Sequence, residues 1–177
     1  QPRKNIVRLI EAFSIIARGP ATRFPPESSH SRSTDSVLSG NPSTPVTPRD
    51  IQLVIVGKRG WQYEEILKAP EKFGVKDRVL FLENISDGQL PSFYKNALMF
   101  VLPSLYEGFG LPVLEAMSYG CPVVTSNISS LPEAGGDAVL YVDPNDTDDI
   151  AEKMKKRIFM FKSPLTLRKR RLGVSYL

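Results

Sequence analysis

At 177 residues, with 41% hydrophobic and 24% charged residues, the chain has the composition of an ordinary globular protein, with room for one sizeable core but not for two full domains. It shows neither a secretory h-region nor an apolar run long enough to cross a bilayer, and its single Cys121 cannot close an internal disulfide, so the cytoplasm is the default expectation. The net charge of +4 gathers near the end, in Lys155, Lys156 and Arg157 and again in Arg168 to Arg171. Such runs read as a solvated face, with a peripheral contact on an anionic membrane as the alternative. Nothing resembling a nucleic-acid module accompanies them, which argues against nucleic acid as a partner.

In chain order, Asn5 to Ala17 places Ile6, Leu9, Ile10 and Phe13 on one face, which predicts an amphipathic helix. From Arg18 to Asp50 the composition turns to Ser, Thr and Pro with few large apolar residues. Such a segment cannot bury enough surface to offset its ordering entropy, so residues 18–50 read as a disordered insertion. His30 lies in it without neighbouring ligands and is assigned no chemistry.

Beyond it, strand-length apolar runs at Ile51 to Val56, Arg78 to Leu82, Ala97 to Leu102, Pro122 to Thr125 and Ala138 to Val142 alternate with helical patterns. Those helical patterns are Trp61 to Lys72, Asp87 to Asn96, Val113 to Tyr119 and Thr147 to Phe161. Continuous apolar runs suit strands buried on both faces, so the fold class is α/β with a parallel sheet flanked by helices. In such sheets ligands bind past the carboxyl ends of the strands.

The segment Pro103 to Pro122, P-S-L-Y-E-G-F-G-L-P-V-L-E-A-M-S-Y-G-C-P, lies at one such end. It runs from a strand through a glycine turn into a helix start whose amides and dipole favour a phosphate, and Gly108 and Gly110 let the backbone approach it closely. Glu107 precedes the turn and Glu115 lies one helical turn beyond. A carboxylate against a diphosphate would repel it, so hydroxyls are the better partners, as for the ribose in dinucleotide folds. Taken singly, Glu115 could simply favour the helix dipole and Glu107 be solvated. The whole string reads instead as a site for a sugar nucleotide.

The string E-G-F-G-L-P-V-L-E-A-M closely resembles the signature of family 4 retaining glycosyltransferases (glycosyl transferases group 1), enzymes of the two-domain GT-B architecture. V-I-V-G-K at Val54, V-L-F-L at Val79, G-C-P-V-V-T-S at Gly120, L-P-E-A-G-G-D-A-V-L-Y-V-D-P at Leu131 and R-K-N-I-V-R-L-I-E-A-F at Arg3 follow in that family's order. The resemblance covers roughly Arg3 to Arg18 and Asp50 to Arg157. It implies the carboxyl-terminal, donor-binding Rossmann-like half over residues 1–162, interrupted by the insertion and followed by a basic tail over 163–177. The amino-terminal half is then a missing partner domain. The family's first strand, which ends in Gly-Arg, is missing as well.

By resemblance the donor is a nucleoside diphosphate sugar, with a hexose, mannose among the candidates, passing to a hydroxyl of a glycan, lipid or other acceptor without metal or cofactor. G-K-R-G-W at Gly57 to Trp61 gives a weak pointer to mannosyl transfer. Glu115 would hold ribose hydroxyls, Glu107 the sugar, and the amides of Phe109, Gly110 and Leu111 the phosphate and sugar. Lys4 would balance diphosphate charge as the bond breaks, which makes Glu107 and Lys4 the candidate catalytic residues. Neither glutamate is assigned as nucleophile. On local sequence alone Lys4 is equally a solvated lysine. Lys58 and Arg59 follow a strand end and are either near the donor or in solvent. The Glu83 to Ser86 segment, with Asn84 and Ile85, would offer its backbone to the base. Asp146, Thr147 and Asp148 match an Asp-x-Asp metal pattern known in another glycosyltransferase architecture, but they suit a helix cap better.

Overall fold

The computed structural model describes residues 2–19, 51–58, 63–160 and 173–176. Residues 20–50, most of the insertion expected from composition, lie outside the described residues, as do Arg59, Trp61 and residues 161–172.

A single 3-10 turn, Pro2–Lys4, leads into α1, Ile6–Arg18. Then β1 (Leu53–Val56), α2 (Tyr63–Lys72), β2 (Val79–Leu82), α3 (Leu90–Asn96) and β3 (Met99–Leu102) alternate. They are followed by α4 (Leu111–Ser118), β4 (Val123–Ser126), α5 (Leu131–Gly135), β5 (Leu140–Val142), α6 (Thr147–Met160) and β6 (Gly173–Tyr176). Each strand expected from the apolar runs is present, four of them beginning one or two residues later than expected and β4 shifted forward by one residue. The five-residue α5 was not expected, because L-P-E-A-G is too short to show a period.

Among the described residues the strands form one sheet in the order β2-β1-β6-β3-β4-β5, and every pairing is parallel. The uninterrupted apolar strands explain why helices cover both faces. Leu53 and Ile55 of β1 point into one core with Ile6, Leu9, Ile10 and Phe13 of α1, Ile66 of α2 and Ile150 and Met154 of α6. Val54 and Val56 point into the other, with Tyr94 of α3, Val113 and Ala116 of α4 and Leu131 of α5. The alternation follows from the two-residue period of a strand. Phe13 and Leu9 are essentially fully buried, each contributing roughly 1.5–3 kcal/mol relative to exposure.

The central slot of this sheet is filled from the far end of the chain. In a doubly wound sheet of order 3-2-1-4-5-6 the first strand occupies the middle, and the chain winds outward from it on both sides. Here β1 and β2 take one wing, β3, β4 and β5 the other, and β6 takes the middle. Leu53 pairs with Gly173 and Val56 with Tyr176 on one side, Met99 with Gly173 and Phe100 with Val174 on the other. Gly173–Tyr176, read from the sequence as part of a basic tail, thus form a central strand of the sheet.

The start of α6 shows what the acidic triplet does. Asp146 Oδ1 accepts the backbone N–H groups of Asp148 and Asp149 at 2.9 and 3.1 Å, an N-cap. Asp149 in turn accepts the N–H of Asp143 at 2.8 Å and pairs with Lys153 at 2.9 Å. Burial pushes the Asp149 carboxyl up, but the Asp143 amide and the Lys153 ammonium outweigh it and hold its pKa below the ordinary 3.8.

Candidate functional site

Because all strands run in one direction, the loops after β1, β2, β3 and β4 open on the same edge of the sheet. Lys58, Asn84 and Ile85, the glycine turn and the β4–α5 loop therefore share that edge. The 3-10 turn joins them there. The N–H of Leu105 donates to the carbonyl of Arg3 at 2.7 Å, and Asn5 Nδ2 donates to the carbonyls of Pro103 and Pro144 at 3.0 and 2.6 Å. Asn5 sits at φ 58°, a left-handed conformation that asparagine tolerates better than most residues. It thus ties the amino-terminal turn to the ends of β3 and β5.

This tie delivers Lys4 to Glu107. Lys4 Nζ lies 2.8 Å from Glu107 Oε1, and the Ser104 hydroxyl donates to the same oxygen at 2.7 Å. Both charged side chains are buried, and Ser104 is fully buried. Ser104 is itself fixed, its carbonyl accepting from the Ser126 hydroxyl at 2.7 Å. The geometry separates the local alternatives left by sequence: neither Lys4 nor Glu107 is a solvated charge.

Past Glu107, Gly108 is exposed, and a Cβ built on it would meet nothing within 4 Å. Gly110 is different. It caps α4 at φ 85°, and a Cβ there would come 3.2 Å from both Ala134 and Leu131, so a larger residue would be strained and crowded. The helix begins at Leu111, two residues before the expected start, which puts Pro112 second in the helix. The carbonyl of Gly110 accepts from Val113 at 2.9 Å, so the amides ahead of Val113 form the open end of the helix.

Glu115 lies one turn along α4 and is exposed. The buried Tyr94 of α3 donates its hydroxyl to Glu115 Oε2 at 3.1 Å, and its ring stacks on Tyr119 with centroids 5.9 Å apart. The two carboxylates thus stand on either side of the helix start in different settings, Glu107 buried against a cation and Glu115 open to solvent with one hydroxyl donor. Tyr106, Phe109 and Leu111 form an uncovered apolar rim, 61%, 63% and 58% exposed.

At the other loops Lys58 is exposed, Asn84 is exposed at φ 57°, and Ile85 is half-buried against the core beneath α3 and α4. No charged group among the described residues is paired with Lys58 within 4.0 Å. Sequence reading missed Ser104, Tyr94, Ser129 and Ser130, all in contact with the two glutamates. A hydroxyl at a strand end or in a helix has no spacing signal of its own, and only the fold brings these to the carboxylates. No group of three His, Cys, Asp or Glu residues among the described residues is placed to hold a metal ion, and no helix there is long and apolar enough to cross a membrane.

Comparison with known proteins supplies a family. The model of glycosyl transferases group 1 matches residues 41–167. The O-antigen chain mannosyltransferase B of Escherichia coli is 38% identical over 151 residues, 85% of this chain and 32% of that protein. The chain therefore spans about a third of that relative's length. Among solved structures, the C-terminal domain of a glycosyl transferase group 1 family protein, LpcC of Francisella tularensis, superposes with a TM-score of 0.64 at 22% identity, over 94% of this chain and 78% of that one. Anabaena HepE, solved in complex with UDP, gives a TM-score of 0.65 at 19% identity, over 96% of this chain and 40% of that one. Both likenesses bear on the fold, which is that of the carboxyl-terminal half of GT-B enzymes.

Proposed function

Since the chain belongs to the glycosyl transferases group 1 family, we propose that it is the donor-binding half of a retaining hexosyltransferase that takes a sugar from a nucleoside diphosphate. The observation that carries this reading is the helix start capped by Gly110 at the carboxyl edge of the sheet, flanked by buried Glu107 with Lys4 and by exposed Glu115. The open amides of Phe109, Gly110 and Leu111 take the phosphate and sugar oxygens, and the helix dipole adds to their attraction. Glu115 accepts from the ribose hydroxyls and Glu107 from the sugar. Asn84 and Ile85 offer backbone to the base, and Lys58 borders the donor.

As the bond from the anomeric carbon to the diphosphate oxygen breaks, negative charge grows on the leaving group, and Lys4 offsets it. The acceptor hydroxyl attacks from the same face and gives its proton to the departing phosphate, so configuration is retained and neither glutamate forms a covalent bond. Lys4 meets Glu107 directly at 2.8 Å, so donor entry must share the ammonium between the carboxylate and the diphosphate. The uncovered rim of Tyr106, Phe109 and Leu111 suits a cleft closed by an opposing half that also carries the acceptor. Mannose is the proposed sugar, since the relative quoted above is a mannosyltransferase.

The test is a transfer assay on the 177-residue chain and on a longer protein that includes the amino-terminal half, with GDP-mannose, UDP-glucose and other nucleotide sugars. Transfer with retained anomeric configuration by the longer protein only is the expected result. Inversion, or robust transfer by the short chain, would overturn the reading.

A further inference from the structure

The main chain of Glu107 is gripped by two serines that neither composition nor motif singled out. In the loop between β4 and α5, the Ser129 hydroxyl accepts the N–H of Glu107 at 3.3 Å and donates to the carbonyl of Glu107 at 2.6 Å. Ser130 donates to the same carbonyl at 3.0 Å. One residue thus has both its main-chain groups engaged by side chains 22 and 23 positions away.

Both serines depart from their local preference to do this. Ser129 stands at φ 60°, where a residue with a Cβ is uncommon. Ser130 occupies the N-cap position of α5, where serine ordinarily turns its hydroxyl onto the first-turn amides, yet it makes no such bond. A left-handed backbone and a diverted cap in adjacent residues both direct hydroxyls to the main chain of Glu107. Ser104 and Lys4 fix the carboxylate end of the same residue. Its backbone and its side chain are therefore held from different loops.

We infer that Ser129 and Ser130 are positioning residues that set the Glu107 carboxylate for the sugar of the donor, and so act on recognition of the sugar rather than of the nucleotide. The functional part rests on the proposed role of Glu107. Glu115 and its Tyr94 partner stand on other elements, α4 and α3, so a defect confined to Glu107 leaves the nucleotide contacts in place.

Two measurements on the 177-residue chain test this. Amide exchange by NMR reads the grip without ligand: S129A and S129G should each raise the exchange rate of the Glu107 amide at least tenfold and leave Val101 and Val124 unchanged. S129G relieves the backbone strain but lacks the hydroxyl, so retained protection in that variant would overturn the role of the hydroxyl. Calorimetry with GDP, UDP, GDP-mannose and UDP-glucose reads the consequence. For whichever pair binds, S129A and S130A should weaken the sugar nucleotide fivefold or more while the free nucleotide changes less than twofold, and S130T should restore binding. Equal weakening of nucleotide and sugar nucleotide would overturn the sugar-directed role. If the wild-type chain binds none of the four, the donor-site reading fails together with the sugar-directed role, while the exchange result still decides whether the serines hold Glu107.

Discussion

Lys4 and Glu107 meet at 2.8 Å in a buried ion pair although 103 positions separate them. With the two side chains only 10% and 9% exposed, solvent cannot stand in for either partner. Removing one leaves a charge desolvated and unpaired, at a cost of about 3–5 kcal/mol, whereas removing both costs far less. Lys4→Met should therefore destabilise the chain strongly, and the double change Lys4→Met with Glu107→Gln should be markedly less harmful than the sum of the single ones. A double-mutant cycle by urea unfolding measures the coupling, and additivity would show that the pair is not the anchor described.

Glu115 tests the other wall of the seat. It is exposed, so Glu115→Ala should leave the melting temperature nearly unchanged while weakening nucleotide binding. Each charge-assisted bond to a ribose hydroxyl is worth roughly 1.5–3 kcal/mol, reduced where water substitutes. Tyr94→Phe, which keeps the buried ring and removes the donor to Oε2, should give a smaller loss of the same kind. Unchanged affinity by calorimetry in Glu115→Ala would remove this residue from the site.

The central place of β6 makes the sheet depend on its last strand. Proline at position 174 removes a backbone N–H from a strand paired on both sides, so Val174→Pro should cost on the order of 3 kcal/mol. The same substitution at an exposed position such as Gly88 serves as control. Amides of residues 174–176 that exchange as fast as a free peptide in the wild-type chain would contradict the pairing.

Acid should loosen the start of α6. The Asp149 pKa is held low in the folded chain by the Asp143 amide and Lys153, against the upward push of burial. Its contribution is therefore complete above the ordinary carboxylate value of 3.8 and is lost as pH falls through the folded value. Asp149→Asn should flatten the fall in melting temperature below about pH 4, where Asp149 in the wild-type chain takes up its proton. An unchanged acid limb would show that other carboxylates dominate it.

The layered fold was readable because buried parallel strands leave continuous apolar runs, and Leu53–Val56 and Met99–Leu102 are of that kind. The signature glutamates were readable because their spacing around a glycine turn has a chemical reason. Two things were not. β6 has only four residues next to a run of arginines, and no local pattern tells a strand that will be received by a ready slot from a basic tail. The holding hydroxyls of Ser104, Tyr94 and Ser129 depend on loops meeting across the sheet edge, information that exists only once the strands are in register.

The seat itself is tested most directly by titrating the labelled 177-residue chain with nucleotides and nucleotide sugars and following backbone amide shifts. Saturable shifts centred on Phe109, Gly110 and Leu111 and extending to Asn84 and Ile85, abolished by a bulky residue in place of Gly110, are the expected result. Shifts confined to other surfaces, or none at millimolar ligand with the fold intact, would contradict a nucleotide-sugar seat at the start of α4.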